Sequence, residues 1–296
     1  MSFVSGLKGR LPWWSRIAAK IVLSRLPAGY GLWRRIGLFR HGEMDRTGYA
    51  LEVFDRHVAS AGLQGNLEGK TILELGPGDS IATAIIAAAC GARAILVDTG
   101  RFAHNPIGAD IELTRILRAR GWDPPDLDGC RALEEVLAAT GALYFTDGLG
   151  SLRQLSAHSI DLVYSHAVLE HIRKAEFLAT QRECARILCR DGVCSHRVDL
   201  RDHLGGGLNN LRFSESVWES DFFFKSGFYT NRIRFGQMLE LFELAGFSVE
   251  VGTVDRWDKL PIERRKLEGD FQDVPDDDLG VWAFDVTLRH GVGVGK

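Results

Sequence analysis

The chain has 296 residues, 45% of them hydrophobic and 25% charged, with a formal net charge of -3. That length suits one α/β core with added segments better than two large domains, and the acidic balance argues against nucleic acid as a bulk partner, because phosphate binding needs an excess of Lys and Arg. The five cysteines are odd in number and form no C-x-x-C pair, which points to free thiols in a reducing compartment. No apolar run approaches the ~18 residues of a membrane span and the N-terminus shows no leader pattern. The expected location is therefore the cytoplasm, with contact at a membrane surface left open.

Residues 1–41 read as a cationic amphipathic arm. Eight basic residues and no acid precede Glu43, against 28 basic and 39 acidic in the remainder. Trp14, Ile17, Ala18, Ile21 and Leu26 fall near helical spacing with Arg16, Lys20 and Arg25 interleaved, which fits either a helix on anionic lipid or a cap on the core or an oligomer contact. Tyr49, Val53, Phe54, His57 and Val58 then predict a helix between Asp45 and Ala61.

An apolar strand, Thr71–Leu75, runs straight into Gly76-Pro77-Gly78 and then an Ala/Ile-rich helix over 79–90. Glycine has no Cβ, so such a turn in a parallel sheet lets a ligand touch backbone. Glu74, at the end of that strand, suits a ligand with an ammonium group or free hydroxyls. Some twenty residues further on, Ala94–Val97 ends in Asp98, the spacing at which these sheets place an acid on a ribose. Thr99 follows, and Phe102 is a candidate to stack on a base or to pack.

Two helical patterns, about Ile111–Arg120 and Cys130–Thr140, precede a third strand, Ala142–Phe145, that leads to Asp147. A fourth strand from Ile160 ends at Ser165-His166 and continues into Glu170-His171, and a fifth runs Gly192–Leu200. Around its end stands His196-x-x-Asp199-x-x-Asp202-His203. Strand alternation separates His196 from Asp199, leaving Asp199, Asp202 and His203 as a base relay, a Mg2+ site, or ordinary caps and ion pairs. The aromatic run Phe213 to Tyr229 is a lid or a small second core. Thr230-Asn231 would cap a helix over 232–245, Arg232 or Arg234 could grip an anionic group through a planar fork, and Gly246–Val251 with Val281–Leu288 would close the sheet as an antiparallel pair.

Together these motifs resemble the class I S-adenosylmethionine-dependent methyltransferases. Glu74-x-Gly76-x-Gly78 is similar to their first motif, Asp98 to the acid ending the second strand, Ile160–His171 to the fourth strand and its exit, and Arg186-Ile187-Leu188 with Gly192 to the turn before the fifth. The resemblance spans Gly69 to Leu200; Ser80 departs from it, standing where a third glycine is common.

It implies an α/β, Rossmann-like sheet of seven mostly parallel strands with helices on both faces. Within a domain over 42–296, a donor-binding core would occupy 69–200, an acceptor lid 201–230 and a closing helix and strands 231–290. S-adenosylmethionine would be the cofactor, leaving as S-adenosylhomocysteine. Glu74, Gly76, Pro77, Gly78, Asp98, Thr99, Phe102, Asp147 and Ser165 would contact it, and Tyr229, Asn231, Arg232 and Arg234 would contact the acceptor. A hydroxyl acceptor needs a base, for which His166, Asp199, Asp202 and His203 are candidates, with no resident metal as the first expectation and Mg2+ as its rival. The expected reaction is O-methylation of a sugar or glycan-type hydroxyl; N- or C-methylation of a small metabolite, or donor binding without catalysis, are the alternatives. The partners expected are a small-molecule or glycan acceptor and no nucleic acid, with the oligomeric state left open.

Overall fold

A computed structural model describes residues 46–103 and 107–291; the arm over 1–41 lies outside them. In chain order the elements are α1 (Thr47–Ala61), β1 (Thr71–Leu75), α2 (Ala82–Ala89), β2 (Arg93–Val97), α3 (Ile107–Ala119), α4 (Leu133–Thr140), β3 (Leu143–Phe145), α5 (Gly148–Gln154) and β4 (Ile160–His166). A 3-10 turn (Leu169–His171) leads to α6 (Lys174–Ile187), β5 (Leu188–Asp199), the short helices α7 (Glu215–Trp218) and α8 (Asp221–Phe224), α9 (Phe235–Leu244) and β6 (Phe247–Arg256). Two further short helices, α10 (Gly269–Gln272) and α11 (Asp276–Leu279), precede β7 (Val281–His290).

The inner strands β1 and β4 are apolar on both faces, as strands roofed by helices on both sides must be. The sheet runs β3-β2-β1-β4-β5-β7-β6, parallel from β3 to β5 and closed by β7, antiparallel to both β5 and β6. This is the seven-stranded, mostly parallel Rossmann-like architecture expected.

One apolar layer packs α1 to α4 on Ile72, Leu96, Leu162 and Tyr164. The other packs α5, α6 and α9 on Leu73, Val97, Val163 and Cys194. Fully buried Phe54 on the first side and Phe177 and Phe242 on the second each contribute roughly 1.5–3 kcal/mol of apolar burial. The five cysteines are free. Among the described residues no helix is long and apolar enough to cross a membrane.

Three local expectations change. The glycine turn before the fifth strand is a bulge inside it: the β4–β5 register jumps from Ile160↔Leu188 to Leu162↔Val193, so β5 starts at Leu188. The expected helix over 232–245 begins only at Phe235, because Arg232 adopts a left-handed φ of 59° that a helix cannot contain. Asn231 does not cap it; its Nδ2 donates to the carbonyls of Leu169 (2.8 Å) and Ile172 (3.0 Å), pinning the chain to the exit of β4. The aromatic run forms a satellite core of Trp218, Phe223, Phe228 and Tyr229 around Leu204, with Trp218 Nε1 donating to the Thr230 carbonyl at 2.7 Å.

Arg234, expected to grip a ligand, is instead a brace. Buried to 3% exposure, its guanidinium donates to the carbonyls of Leu200 (3.1 Å), Leu279 (3.0 Å) and Val281 (2.6 Å), joining the end of β5 to the start of β7. Burial lowers its pKa to about 10, with Asp278 acting in the opposite sense, so it stays charged. Arg234→Met orphans three carbonyls, and urea unfolding should show a loss of roughly 2–5 kcal/mol; a loss under 1 kcal/mol would mean the brace carries no stability.

Candidate functional site

The sheet order reverses between β1 and β4, since β2 and β3 lie on one side of β1 and β4 to β6 on the other. The crossovers diverge there and open a crevice at the carboxyl ends of the strands. The loop that enters it has Gly76 and Gly78 in left-handed conformation, φ 69° and 63°. A Cβ on Gly76 would lie 2.6 Å from both methyls of Val168, so any side chain there would push away the turn after β4.

Asp98 ties this loop to its neighbours. Its Oδ2 accepts the Gly78 N–H at 3.1 Å and its Oδ1 the Thr99 N–H at 2.7 Å, while its backbone carbonyl accepts Gly148 N–H at 2.8 Å and its N–H donates to Phe145 O at 2.9 Å. The exits of β1, β2 and β3 therefore meet at one carboxylate-bearing residue. Phe102 lies over Gly100, held by its N–H donating to Tyr144 Oη at 3.2 Å, while that hydroxyl donates to Gly100 O at 3.2 Å. Pro77 is buried within the loop, and Asp147 is exposed at the β3 exit.

Two expected donor contacts stand elsewhere. Glu74 is only 3% exposed, and the hydroxyls of Thr83 and Tyr164 reach it and lie 2.5 Å from each other. Burial, reinforced by Asp98, raises its pKa to about 7 against the pull of those hydroxyls. Ser165 is fully buried and faces the α9 layer, its hydroxyl 2.8 Å from His196 Nδ1. Alternation along β4 turns it from the face that carries Tyr164 and His166.

His166 leaves β4 half-buried against α1, its Nδ1 3.4 Å from His57 Nε2. His57 is buried and its Nδ1 lies 2.8 Å from Ser195 Oγ, so Ser195, His57 and His166 form a chain leading to the carboxyl edge. Tyr49 meets the His166 ring edge-on at 5.9 Å. Burial first, then Arg56 and Arg197, lowers the His166 pKa to about 4; burial and His166 itself lower that of His57. His57 was visible in the sequence only as one position of an apolar helix face.

The trio Asp199, Asp202 and His203 does not assemble. Asp199 is gripped by Arg201 (Nε–Oδ1 2.9 Å, Nη2–Oδ2 2.6 Å). Asp202, 3% exposed, accepts the amides of Leu204 (2.9 Å), Gly207 (3.2 Å) and Asn209, and so holds the glycine loop. His203 turns outward to His171. Among the described residues no group of three or more metal-ligating side chains gathers.

The acceptor candidates are similarly engaged. The Arg232 side chain is fully buried, bonded to Glu215 (2.7 Å) and to Phe213 O (2.6 Å). Tyr229, 4% exposed, donates to Glu219 at 2.8 Å and accepts Lys174 N–H at 3.2 Å. A cavity of about 660 Å³ opens instead where β6 ends and β7 begins, lined by Arg212, Arg256, Trp257, Lys259, Pro261 and Lys266 among others. Arg256 is paired in register with Val281, two residues before the partner of Asp199, which puts this cavity at the same carboxyl edge. Its walls come from an aperiodic β6–β7 connection that offered no sequence signal.

Sheet order, glycine loop and carboxyl-edge acid define a doubly wound α/β protein with its crevice at the switch point. No family model matches the chain, and no curated protein matches it. Among solved structures it is similar to the magnesium protoporphyrin IX methyltransferase of Synechocystis with bound S-adenosylhomocysteine (14% identity, 92% of this chain and 99% of that one, TM-score 0.47). It is also similar to an S-adenosylmethionine-dependent methyltransferase from Mesorhizobium loti (17%, 78% and 96%, TM-score 0.41). A third likeness is to phosphoethanolamine N-methyltransferase 2 of Haemonchus contortus (17%, 80% and 53%, TM-score 0.43). At these identities and scores the likenesses decide nothing about substrate.

Because the Glu74 pKa is raised from 4.5 to about 7, the stability associated with its neutral form is present below pH 4.5 and is lost as pH rises through about 7. Glu74→Gln keeps the neutral shape at every pH. Its unfolding free energy relative to the parent should rise between pH 5 and pH 8 by up to roughly 3 kcal/mol; a difference independent of pH would show that Glu74 is ionised throughout.

Proposed function

We propose that this protein transfers the methyl group of S-adenosylmethionine to a hydroxyl, most plainly one on a sugar or glycan-type acceptor. The observation that carries the proposal is the left-handed Gly76–Gly78 loop clasped to Asp98 at the switch point of the sheet. The loop offers close backbone approach for the amino-acid end of the donor, and Asp98 is a carboxylate placed to accept from ribose hydroxyls.

Transfer from a sulfonium needs the acceptor's electron pair aligned behind the methyl group, so the protein's work is positioning and exclusion of water. A hydroxyl must also lose a proton. With Asp199 and Asp202 engaged in internal contacts, His166 is the proton acceptor the geometry favours. Its lowered pKa keeps it neutral at physiological pH, the form that carries a lone pair. The cavity beside Trp257 would hold the distal part of the acceptor, an aromatic and proline wall with charged groups at its rim suiting a polar ring. The engagement of both acids equally favours a second reading, an amine or carbon acceptor that needs little base help.

Calorimetry with S-adenosylmethionine should show Asp98→Ala binding weakened by about 1–3 kcal/mol; parent-like affinity would remove Asp98 from the donor site. Labelled donor supplied to a cell extract should place methyl groups in the polysaccharide or lipid fraction. With that acceptor, turnover should stay level from pH 8 to pH 6 and fall only as pH approaches about 4, where His166 becomes protonated. Label confined to amines, with His166→Ala fully active, would establish the second reading.

A further inference from the structure

The serine and two histidines that lead from the core to the carboxyl edge also carry a direction. Ser195 lies on β5 and His57 on α1, and His166 ends β4. His57 Nδ1 is 2.8 Å from Ser195 Oγ, and its Nε2 is 3.4 Å from His166 Nδ1. The two imidazole centroids are 5.6 Å apart with their planes at 82°, a separation that the N–N distance plus the two centre-to-nitrogen radii account for. Both nitrogens therefore lie close to the line joining the ring centres, the direction in which an imidazole N–H or lone pair points. His57 is stacked on Tyr164 (4.9 Å, 23°), whose hydroxyl is tied to Thr83, and Tyr49 meets His166 edge-on. These aromatic contacts hold both ring planes in place.

Burial, then His166, His196 and Arg56, lowers the pKa of His57; burial, then Arg56 and Arg197, lowers that of His166 to about 4. Both rings are neutral at pH 7, so each carries one hydrogen and one lone pair. A hydroxyl both donates and accepts, which gives the chain two possible directions. Run inward, His166 Nδ1–H donates to His57 Nε2 and His57 Nδ1–H to Ser195 Oγ, which leaves a lone pair on His166 Nε2. Run outward, Ser195 donates to His57 and His57 to His166, which leaves an N–H there instead. Only the inward run can take a proton on His166 Nε2. The ring then bears hydrogen on both nitrogens, and its Nδ1–H still meets the lone pair of His57.

We propose that His57, backed by Ser195, is the positioning residue that sets this chain inward and so puts the His166 lone pair on Nε2, the nitrogen not committed to His57. The proposal rests on the reading of His166 as proton acceptor, and it names the basic nitrogen and the two groups that select it. Which ring nitrogen of a histidine is protonated is set by the hydrogen bond that the other one makes. The chain fixes a tautomer and carries no proton away, because it ends at Ser195, 3% exposed.

The test reads the tautomer by NMR on the full chain labelled with 15N-histidine at pH 7, the His166 signals being assigned by their loss in His166→Ala. The parent should show His166 protonated at Nδ1. Ser195→Ala removes the acceptor of His57 Nδ1–H, and an orphaned buried N–H is the costlier loss. His57 should then keep its hydrogen on Nε2 and donate it to His166, moving His166 to its Nε2–H form. His57→Gln, whose amide oxygen can accept in place of Nε2, should keep the Nδ1–H form. Cooperative melting of both variants separates a changed tautomer from a lost fold. With the acceptor fraction of the cell extract, Ser195→Ala should lose kcat by on the order of 10²-fold at unchanged donor affinity. A flipped tautomer with parent-like kcat would support the direction of the chain and overturn the base role of His166. An Nε2–H form in the parent, or an Nδ1–H form that survives in Ser195→Ala, would overturn the proposal.

Discussion

The absence of a side chain at Gly76 is the constraint on which the carboxyl edge depends. Val168 occupies the space a Cβ would need, and Val168 belongs to the turn that follows His166 and precedes Glu170 and His171. The glycine therefore lets the exit of β4 close onto the exit of β1. Asp98 extends the same closure sideways through Gly78 and Gly148. The glycine loop, Asp98 and the exit of β4 are thus held by short-range contacts among neighbouring strand exits, which is how a cluster of loops gains the rigidity of a sheet.

Beneath that edge the two faces of β4 and β5 carry complementary polar pairs. On the α1 face Ser195 meets His57, which leads to His166; on the α9 face Ser165 meets His196 beneath Phe242. Burial lowers the pKa of His196 to about 3, so this ring is a neutral packing group, while the chain on the opposite face ends at the crevice. Glu170, 2% exposed, is held toward its neutral form by burial and by neighbouring Asp199. Neutral acids and neutral imidazoles are the forms that a low-dielectric edge tolerates.

Arginines do much of the joining between the sheet and its added segments. Arg234 links β5 to β7 through backbone carbonyls. Arg232 ties the aromatic satellite to α7 through Glu215, and Arg197 on β5 bridges Asp285 on β7 and Asp255 on β6. A planar guanidinium can satisfy several acceptors from one position, so cationic side chains that seemed free to meet a ligand became structural once the loops folded over them. The open cavity fell to a segment with no such motif.

By itself the sequence determined what is local. Apolar runs ending at Gly76 and Asp98 specified two parallel strands and a glycine-rich exit, because β-branched residues favour extended backbone and glycine reaches the left-handed region without a Cβ penalty, and helix and strand periodicity placed most of the remaining elements. Only the tertiary structure decided which polar side chains remain available at the edge. Asp199 and Asp202 are close in sequence but are claimed by Arg201 and by loop amides. His171 and His203, thirty-two positions apart, meet because β4 and β5 lie side by side. His57 joins His166 because α1 packs across both strands. Availability is set by which partner reaches a group first in three dimensions, and spacing along one chain does not record that.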